Sequence, residues 1–445
     1  MDATGPPFAV HPEVLTVLGV LWARGHAGYL VGGGVRDALL GLPVDDWDIA
    51  TDARPEQVMR IFPGSSYQNR FGTVLARGLE VTTFRRDHRY ADHRRPDSVT
   101  FSQDIFEDLA RRDLTINAIA WGRRGPDAGA RVVDPADGQG DLEARLVRAV
   151  GDPDRRFDED ALRLLRAVRI AAKLDFAIEP MTLAAMAAHA ADVEWVSEER
   201  VGGEVRRMLD APAPSRAFGH MAETGILATT LPELDALEEH QLRTSLAVLD
   251  RVASEHPGRE QLALAALLGE LDPASALGVL RRLRLGAREA EAVTALVAAA
   301  TEAYEPGWTD ADVRRYMGRV PAELRPELLR LRAARAAASA AAEPEAPHLA
   351  AALAERVERQ EEAGSPLTLA QLAIDGRDLR DTLGLPEGPI IGDLLEELLA
   401  DVIEDPSLNT RTTLLTRASL ILDRLLQQGR SRDDQRPRSS GTLGP

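Results

Sequence analysis

Cysteine is absent from the 445 residues. That excludes disulfides, thiolate zinc sites and cysteine nucleophiles. Lysine is almost absent too; Lys173 stands alone, and the rest of the 53 basic residues are arginine. Arginine forks suit phosphates and base edges, although codon bias alone explains such a composition. No run of 18 apolar residues occurs, so no membrane helix is expected. The opening MDATGPPFAV has no basic stretch followed by an apolar one, so a cytoplasmic enzyme without a secretion signal is expected. The net charge of −18 argues against indiscriminate nucleic-acid binding while leaving room for a local basic face.

What is present is a chain 44% hydrophobic, long enough for two to four domains. Residues 12–26 read as a helix and Tyr29–Val31 as a short strand closed by Gly32-Gly33-Gly34. Val35–Leu40 reads as a helix, and strands are expected at Trp47–Ala50, Thr73–Ala76 and Leu79–Phe84. From Asp158 the texture becomes helical: Leu162, Leu165, Val168 and Ala172 recur at helical spacing. That texture runs to about residue 428, and 429–445 are expected to be disordered.

Three features carry chemistry. Asp46-Trp47-Asp48, placed in a strand, would set two carboxylates on one side. Such a pair is poor without a cation, and magnesium takes hard oxygen ligands while leaving positions for phosphate. Gly32-Gly33 follows a strand and precedes a helix, so backbone N–H groups would face phosphates, with Arg36 on the first helical turn. Glu80, between Leu79 and Val81, is a candidate third acid. Each alone has a bland reading: a solvated acidic pair, a tight turn, a solvent-facing strand residue. Farther on, Asp160, Arg163, Arg166 and Arg169 are spaced by three and are expected on one helix. An Asp–Arg pair there could read the amino group and ring acceptor that cytosine and adenine share. The alternative is a solvated arginine stripe.

These residues sit in an ordered series of motifs: YLVGGGVRDALLG, DDWDIATDARPEQV, FGTVLARGLEVTTFR, Tyr90–Pro96, EDLARRDLTINAIA, DEDALRLLRAVRIAAKL and SEERVGGEVRRML. The series resembles the catalytic core of class II CCA-adding enzymes and bacterial poly(A) polymerases, within the DNA polymerase beta nucleotidyltransferase superfamily. The resemblance implies an α+β fold: an N-terminal mixed-sheet nucleotidyltransferase (palm) head over 1–149, then an all-α neck (150–211), body (212–345) and tail (346–428). It implies template-independent addition of CCA to the 3′ end of tRNA from CTP and ATP, releasing pyrophosphate with Mg2+. Asp46 and Asp48 would bind metal and Glu80 would support them. Gly32, Gly33 and Arg36 would hold the triphosphate. Arg112, Asp113 and Asn117 would shape the sugar and phosphate pocket, and Asp160, Arg163, Arg166 and Arg169 would line the base site. Tyr90–Pro96 would be the flexible loop. A-adding, CC-adding and poly(A)-polymerase relatives share most of these motifs. Outside enzymes, the rival is an inactive RNA-binding protein.

The body resembles a metal-dependent phosphohydrolase region, but Gly269-Glu270 stands where a His-Asp doublet is expected, and His240 has no second helical histidine nearby. A degenerate domain without hydrolase chemistry is expected. Near the end, Gly384–Pro389 lies between helical segments and could offer amides to RNA phosphates. A basic face for RNA is expected along Arg85–Arg95 with Arg200, Arg206 and Arg207.

Overall fold

The computed structural model describes residues 6–69, 72–88 and 98–434. The expected flexible loop, Tyr90–Pro96, lies outside the described residues. The chain forms two compact units, 1–291 and 292–445. The expected limits at 149 and 211 fall inside the first unit, and that at 345 inside the second.

The first unit opens with α1 (Pro12–Ala23), β1 (Gly28–Val31), α2 (Gly33–Leu39), β2 (Asp48–Thr51) and α3 (Pro55–Ile61). Strands β3 (Ser66–Asn69), β4 (Thr73–Ala76), β5 (Leu79–Thr83), β6 (Arg85–His88) and β7 (Ser98–Phe101) follow, then α4 (Ile105–Ala110), β8 (Ala120–Arg123) and β9 (Arg131–Val133). Seven strands make a mixed sheet in the order β3-β4-β5-β2-β1-β8-β9, while β6 and β7 pair as a separate antiparallel ribbon. Only β2 and β5 run parallel within the large sheet. β1 is buried along its whole length because strands flank both its edges. Tyr29 and Val31 join Ala50, Phe84, Ile105, Leu109 and Val133 in one core cluster. Helix α1 is docked on the sheet by Trp22, whose Nε1 donates to the Gly28 carbonyl at 3.0 Å.

Next come α5 (Gly138–Ala144), β10 (Leu146–Val147), α6 (Pro153–Glu159), α7 (Leu162–Leu174), β11 (Ala177–Ile178), α8 (Pro180–Ala188) and α9 (Glu198–Leu209). The expected all-α neck thus includes a short strand, β11, which pairs in parallel with β10 at the end of the expected head. Six further helices between Ser215 and Arg282 complete the first unit, ahead of the helix that begins at Ala287.

The second unit is helical. Helices Gly376–Leu383, Pro389–Glu404 and Arg411–Asp434 share a core of Leu379, Leu394, Leu398, Val402, Leu414 and Ala418. Gly384–Pro389 connects the first two of these helices, as the sequence predicts. Arg314 is buried and ties the unit together: Nε and Nη2 donate to the Ile403 and Glu404 carbonyls at 2.7 and 3.0 Å, and Nη1 donates to Gln360 Oε1 at 2.8 Å. Those carbonyls end a helix and lack helical donors of their own.

Three expectations are corrected. β2 begins at Asp48, so Asp46 lies in the preceding loop and not in the strand. The reason is pairing: β1 offers partners only up to Val31, opposite Asp48, before the chain turns away at Gly32. Asp160 is not on a helix shared with Arg163. It has extended dihedrals, φ −152° and ψ 104°, between α6 and α7. Its Oδ1 accepts from the Leu162 N–H at 3.1 Å, as a residue at a helix start does. Finally, the last helix runs through Asp434, past the expected onset of disorder at 429; residues 435–445 lie outside the described residues.

Candidate active site

The sheet register places Asp48 on β2 directly opposite Glu80 on β5, and Leu75 on β4 opposite Glu80. Residues opposite one another share a face. Glu80 and Leu75 are exposed, so the row from Asp48 to Leu75 lies on an open face of the sheet, across the interior strands β2, β5 and β4. Asp46, also exposed, approaches from the loop. Burial raises the Asp48 carboxyl above its usual range; Arg112 opposes the rise, Asp46 adds to it, and Arg166 opposes it. Partial burial, then Asp48 and Asp46, raise Glu80 in the same way. Burial and neighbouring acids thus disfavour the charges of Asp48 and Glu80, the electrostatic condition that a cation relieves. Asp46 and Asp48 offer the hard carboxylate oxygens that a divalent ion of the magnesium type takes, so the residues fit such an ion.

The turn above them depends on glycine. Gly32 has φ 78°, and a Cβ there would lie 3.0 Å from Arg112 Nη1 and 3.4 Å from Asp48 Oδ2. Gly34 presses so closely that a Cβ would meet the Asp46 carbonyl at 2.9 Å and the Trp47 ring at 3.1 Å. The turn, the acidic loop and Arg112 therefore share one small space.

Arg36 is 4% exposed and lies beneath Gly33. Its Nε donates to Asp37 Oδ1 and its Nη1 to Asn117 Oδ1, both at 2.7 Å. Asn117 in turn donates to Asp113 Oδ1 at 3.2 Å, and Arg166 Nε donates to Asp113 Oδ2 at 2.6 Å. Lys173 on α7 closes on Asp37 at 3.3 Å. A buried polar chain thus links α2 to α7. Burial would raise the Asp113 carboxyl, but the Arg166 guanidinium and the Asn117 amide outweigh it and hold it well below the usual range. Arg112 donates to Asp108 at 3.3 Å, and its buried Nε has no partner.

The structure brings Asp46, Asp48, Glu80, Gly32, Arg112 and Arg166 into one neighbourhood. The other expected residues sit differently. Asp160 Oδ2 accepts from Arg200 Nη2 at 2.8 Å. Arg163 is 9% exposed; Nη1 donates to Glu159 Oε2 at 2.8 Å and to the Arg156 carbonyl at 3.2 Å, and Nη2 donates to the Arg111 carbonyl at 3.0 Å. Arg169 Nε meets Glu204 Oε2 at 2.5 Å, and Arg207 takes the other Glu204 oxygen at 2.9 Å. Sequence reasoning missed Asp37, Glu159, Glu204 and the partnership of Arg200. The Glu159–Arg163 spacing of four and the Glu204–Arg207 spacing of three are helical-pair signals present in the sequence; nothing local announces the pairing of Glu204 with Arg169 or of Arg200 with Asp160. The expected RNA-facing Arg200, Arg206 and Arg207 are all paired with acids, Arg206 with Glu260 and Glu289.

An acidic row on an open sheet face, roofed by a glycine turn and flanked by arginines, is the head of a nucleotidyltransferase. The family described as "Poly A polymerase head domain" matches residues 28–148. "Probable RNA and SrmB- binding site of polymerase A" matches 175–238, and "tRNA nucleotidyltransferase domain 2 putative" matches 256–418. The CCA-adding enzyme of Geobacillus thermodenitrificans is 35% identical over 405 residues, covering 89% of this chain and 93% of that protein. That of Geobacillus stearothermophilus is 36% identical over the same length and shares. The crystal structure of the Bacillus stearothermophilus CCA-adding enzyme in complex with CTP superposes with a TM-score of 0.73 at 30% identity, covering 96% of this chain and all of that one. The chain belongs to the CCA-adding enzyme family.

Proposed function

We propose that the protein adds CCA to the 3′ end of tRNA, without a nucleic-acid template, from CTP and ATP. The convergence of Asp46, Asp48 and Glu80 with Arg112 and Arg166 carries this reading. The tRNA terminal hydroxyl oxygen attacks the α-phosphorus of the incoming nucleotide; the bond to the β-phosphate bridging oxygen breaks, and pyrophosphate leaves. Asp46 and Asp48 would hold Mg2+, which would supply a lowered pKa for the attacking hydroxyl and charge to offset the phosphates. Glu80 supports that pair across the strand register. Backbone N–H groups of Gly32 and Gly33 face the triphosphate, with Arg36 supplying charge from beneath. Arg112 and Arg166 stand beside the acids to take the phosphates and sugar, while Asp113 and Asn117 fix Arg166 and Arg36.

Base choice falls to Asp160 and Arg163. The Asp160 carboxylate accepts two hydrogen bonds and keeps lone pairs for an exocyclic amino group. Arg163 keeps its Nε–H and one Nη2–H for the ring acceptor. Arg169 orders the neck through Glu204. In this reading 1–149 is the catalytic head, 150–211 the neck, 212–345 a body without hydrolase chemistry and 346–428 a tRNA-binding tail. No described helix is long and apolar enough to cross a membrane; the proposed place of work is the cytoplasm.

The test uses tRNAs ending before CCA, after C and after CC, each given one nucleotide at a time. The expected result is CTP use on the first two and ATP use on the third only. An A-adding enzyme would leave the first two untouched, a CC-adding enzyme would refuse ATP on the third, and a poly(A) polymerase would extend all of them with ATP.

A further inference from the structure

We propose that Phe8 is a positioning residue for the metal-holding pair: it seats Trp47, and through Trp47 it fixes the loop that presents Asp46 beside Asp48. The inference rests on the reading of Asp46 and Asp48 as the residues that hold the ion. Its starting point is that Asp46 gains nothing from the sheet. Ladder pairing of β2 begins at Asp48, and Asp46 is exposed. What holds Asp46 must therefore act through its neighbours.

Trp47, between the two acids, is 5% exposed. One side of its ring lies against Gly34 of the glycine turn. Phe8 stacks on it, ring centroids 6.0 Å apart and planes 21° from parallel. Phe8 also meets Trp121 of β8 edge-on at 6.3 Å, and Trp121 meets Trp22 of α1 at 6.3 Å. Phe8 thus joins the acidic loop to aromatics anchored in the sheet and in α1. Beside Trp47 runs an open groove of about 650 Å³ between Pro7–His11 and Ala38–Val44. That space would let the indole turn away if the ring of Phe8 were lost. A turn of Trp47 would move the adjacent Asp46 carboxylate, whose separation from Asp48 decides whether both can grip one ion.

The experiment follows terbium luminescence, sensitised by tryptophan, on the full-length protein. Tb3+ takes hard oxygen ligands as other such cations do. Wild type, Phe8→Ala, Phe8→Leu, Phe8→Tyr and Asp46→Ala are compared for Tb3+ half-saturation, for the Mg2+ concentration giving half-maximal CTP addition, and for KM of CTP. Phe8→Leu keeps apolar bulk if the alanine variant fails to fold. Loss of the stack should raise both cation midpoints roughly 2- to 10-fold, the range one aromatic pair supports, with KM for CTP little changed. Phe8→Tyr should restore both. If Phe8→Ala and Phe8→Leu keep wild-type cation midpoints while Asp46→Ala loses Tb3+, the role of Phe8 is overturned and the metal reading stands. If Asp46→Ala binds Tb3+ as wild type does, the metal reading falls and this inference with it.

Discussion

Gly32 concentrates the demands of the site into one missing methyl group. Its backbone occupies a region that other residues enter at a cost of roughly 1–3 kcal/mol, and the space a side chain needs is already taken by Arg112 and Asp48. Gly32→Ala should lower the melting temperature modestly and cut nucleotide addition far more. Equal losses in a melting curve and in kcat/KM would show that the turn serves folding alone. The acids behave in the opposite way. Asp46 is exposed and anchors nothing, so Asp46→Ala should abolish addition with melting temperature and tRNA binding almost unchanged. Near-normal turnover with magnesium as the only metal would remove it from the site. Asp160 is a third kind of residue, because it is shared. Its replacement by alanine takes a contact from the base and leaves Arg200 without a carboxylate. Losing one base contact costs about 1–3 kcal/mol of discrimination. UTP and GTP should therefore gain on CTP and ATP in a four-nucleotide competition, and an unchanged preference would place base choice elsewhere.

At the scale of elements, the helices were legible where apolar spacing was clean, and the sheet where β-branched runs were bounded by glycine. β6 and β7 were not foreseen: RRDH has no strand composition, and only its pairing with Ser98–Phe101 makes it extended. The errors at Asp46 and Asp160 have a common origin. Both lie one or two residues outside an element whose start is set by a partner or a cap, and motif spacing carries no such information. The arginines of α7 were found from spacing, but their partners come from other elements: Asp113 from the head and Glu204 from α9. Glu204 is 1% exposed and holds two guanidiniums. Breaking a buried pair from one side costs about 3–5 kcal/mol. Glu204→Gln keeps the volume and loses the charge, so it should lower the urea midpoint strongly and affect every nucleotide alike. A change in base preference without loss of stability would make Glu204 part of recognition instead of the scaffold.

For the whole molecule, the two compact units should respond differently to acid. In the first, Asp108 and Asp113 are 1% and 9% exposed. Burial pushes each carboxyl up, but arginines outweigh it, Arg111 and Arg112 at Asp108 and Arg166 at Asp113. Both net shifts are downward. A carboxyl depressed by folding stabilises the fold at any pH above its unfolded value, near 4, and that contribution drains away as pH falls below it. In the second unit, Asp310 is lowered by a hydrogen bond from Arg356 and Asp312 by one from the Thr309 hydroxyl. Asp310 is exposed and Asp312 only half-buried, with its side chain 37% open to solvent, so screening leaves little free energy in their shifts. Between pH 5 and pH 3, then, the first unit should lose stability more steeply than the second. Hydrogen exchange on the full chain across that range should show residues of β8, α4 and α7 losing protection before the helices from Gly376 to Asp434. Asp113→Asn, which cannot ionise, should be less stable than wild type at pH 7 and should lose less on going to pH 3. Equal acid sensitivity in the variant and the parent would show that the clasp between Asp113 and Arg166 does not govern the acid limb.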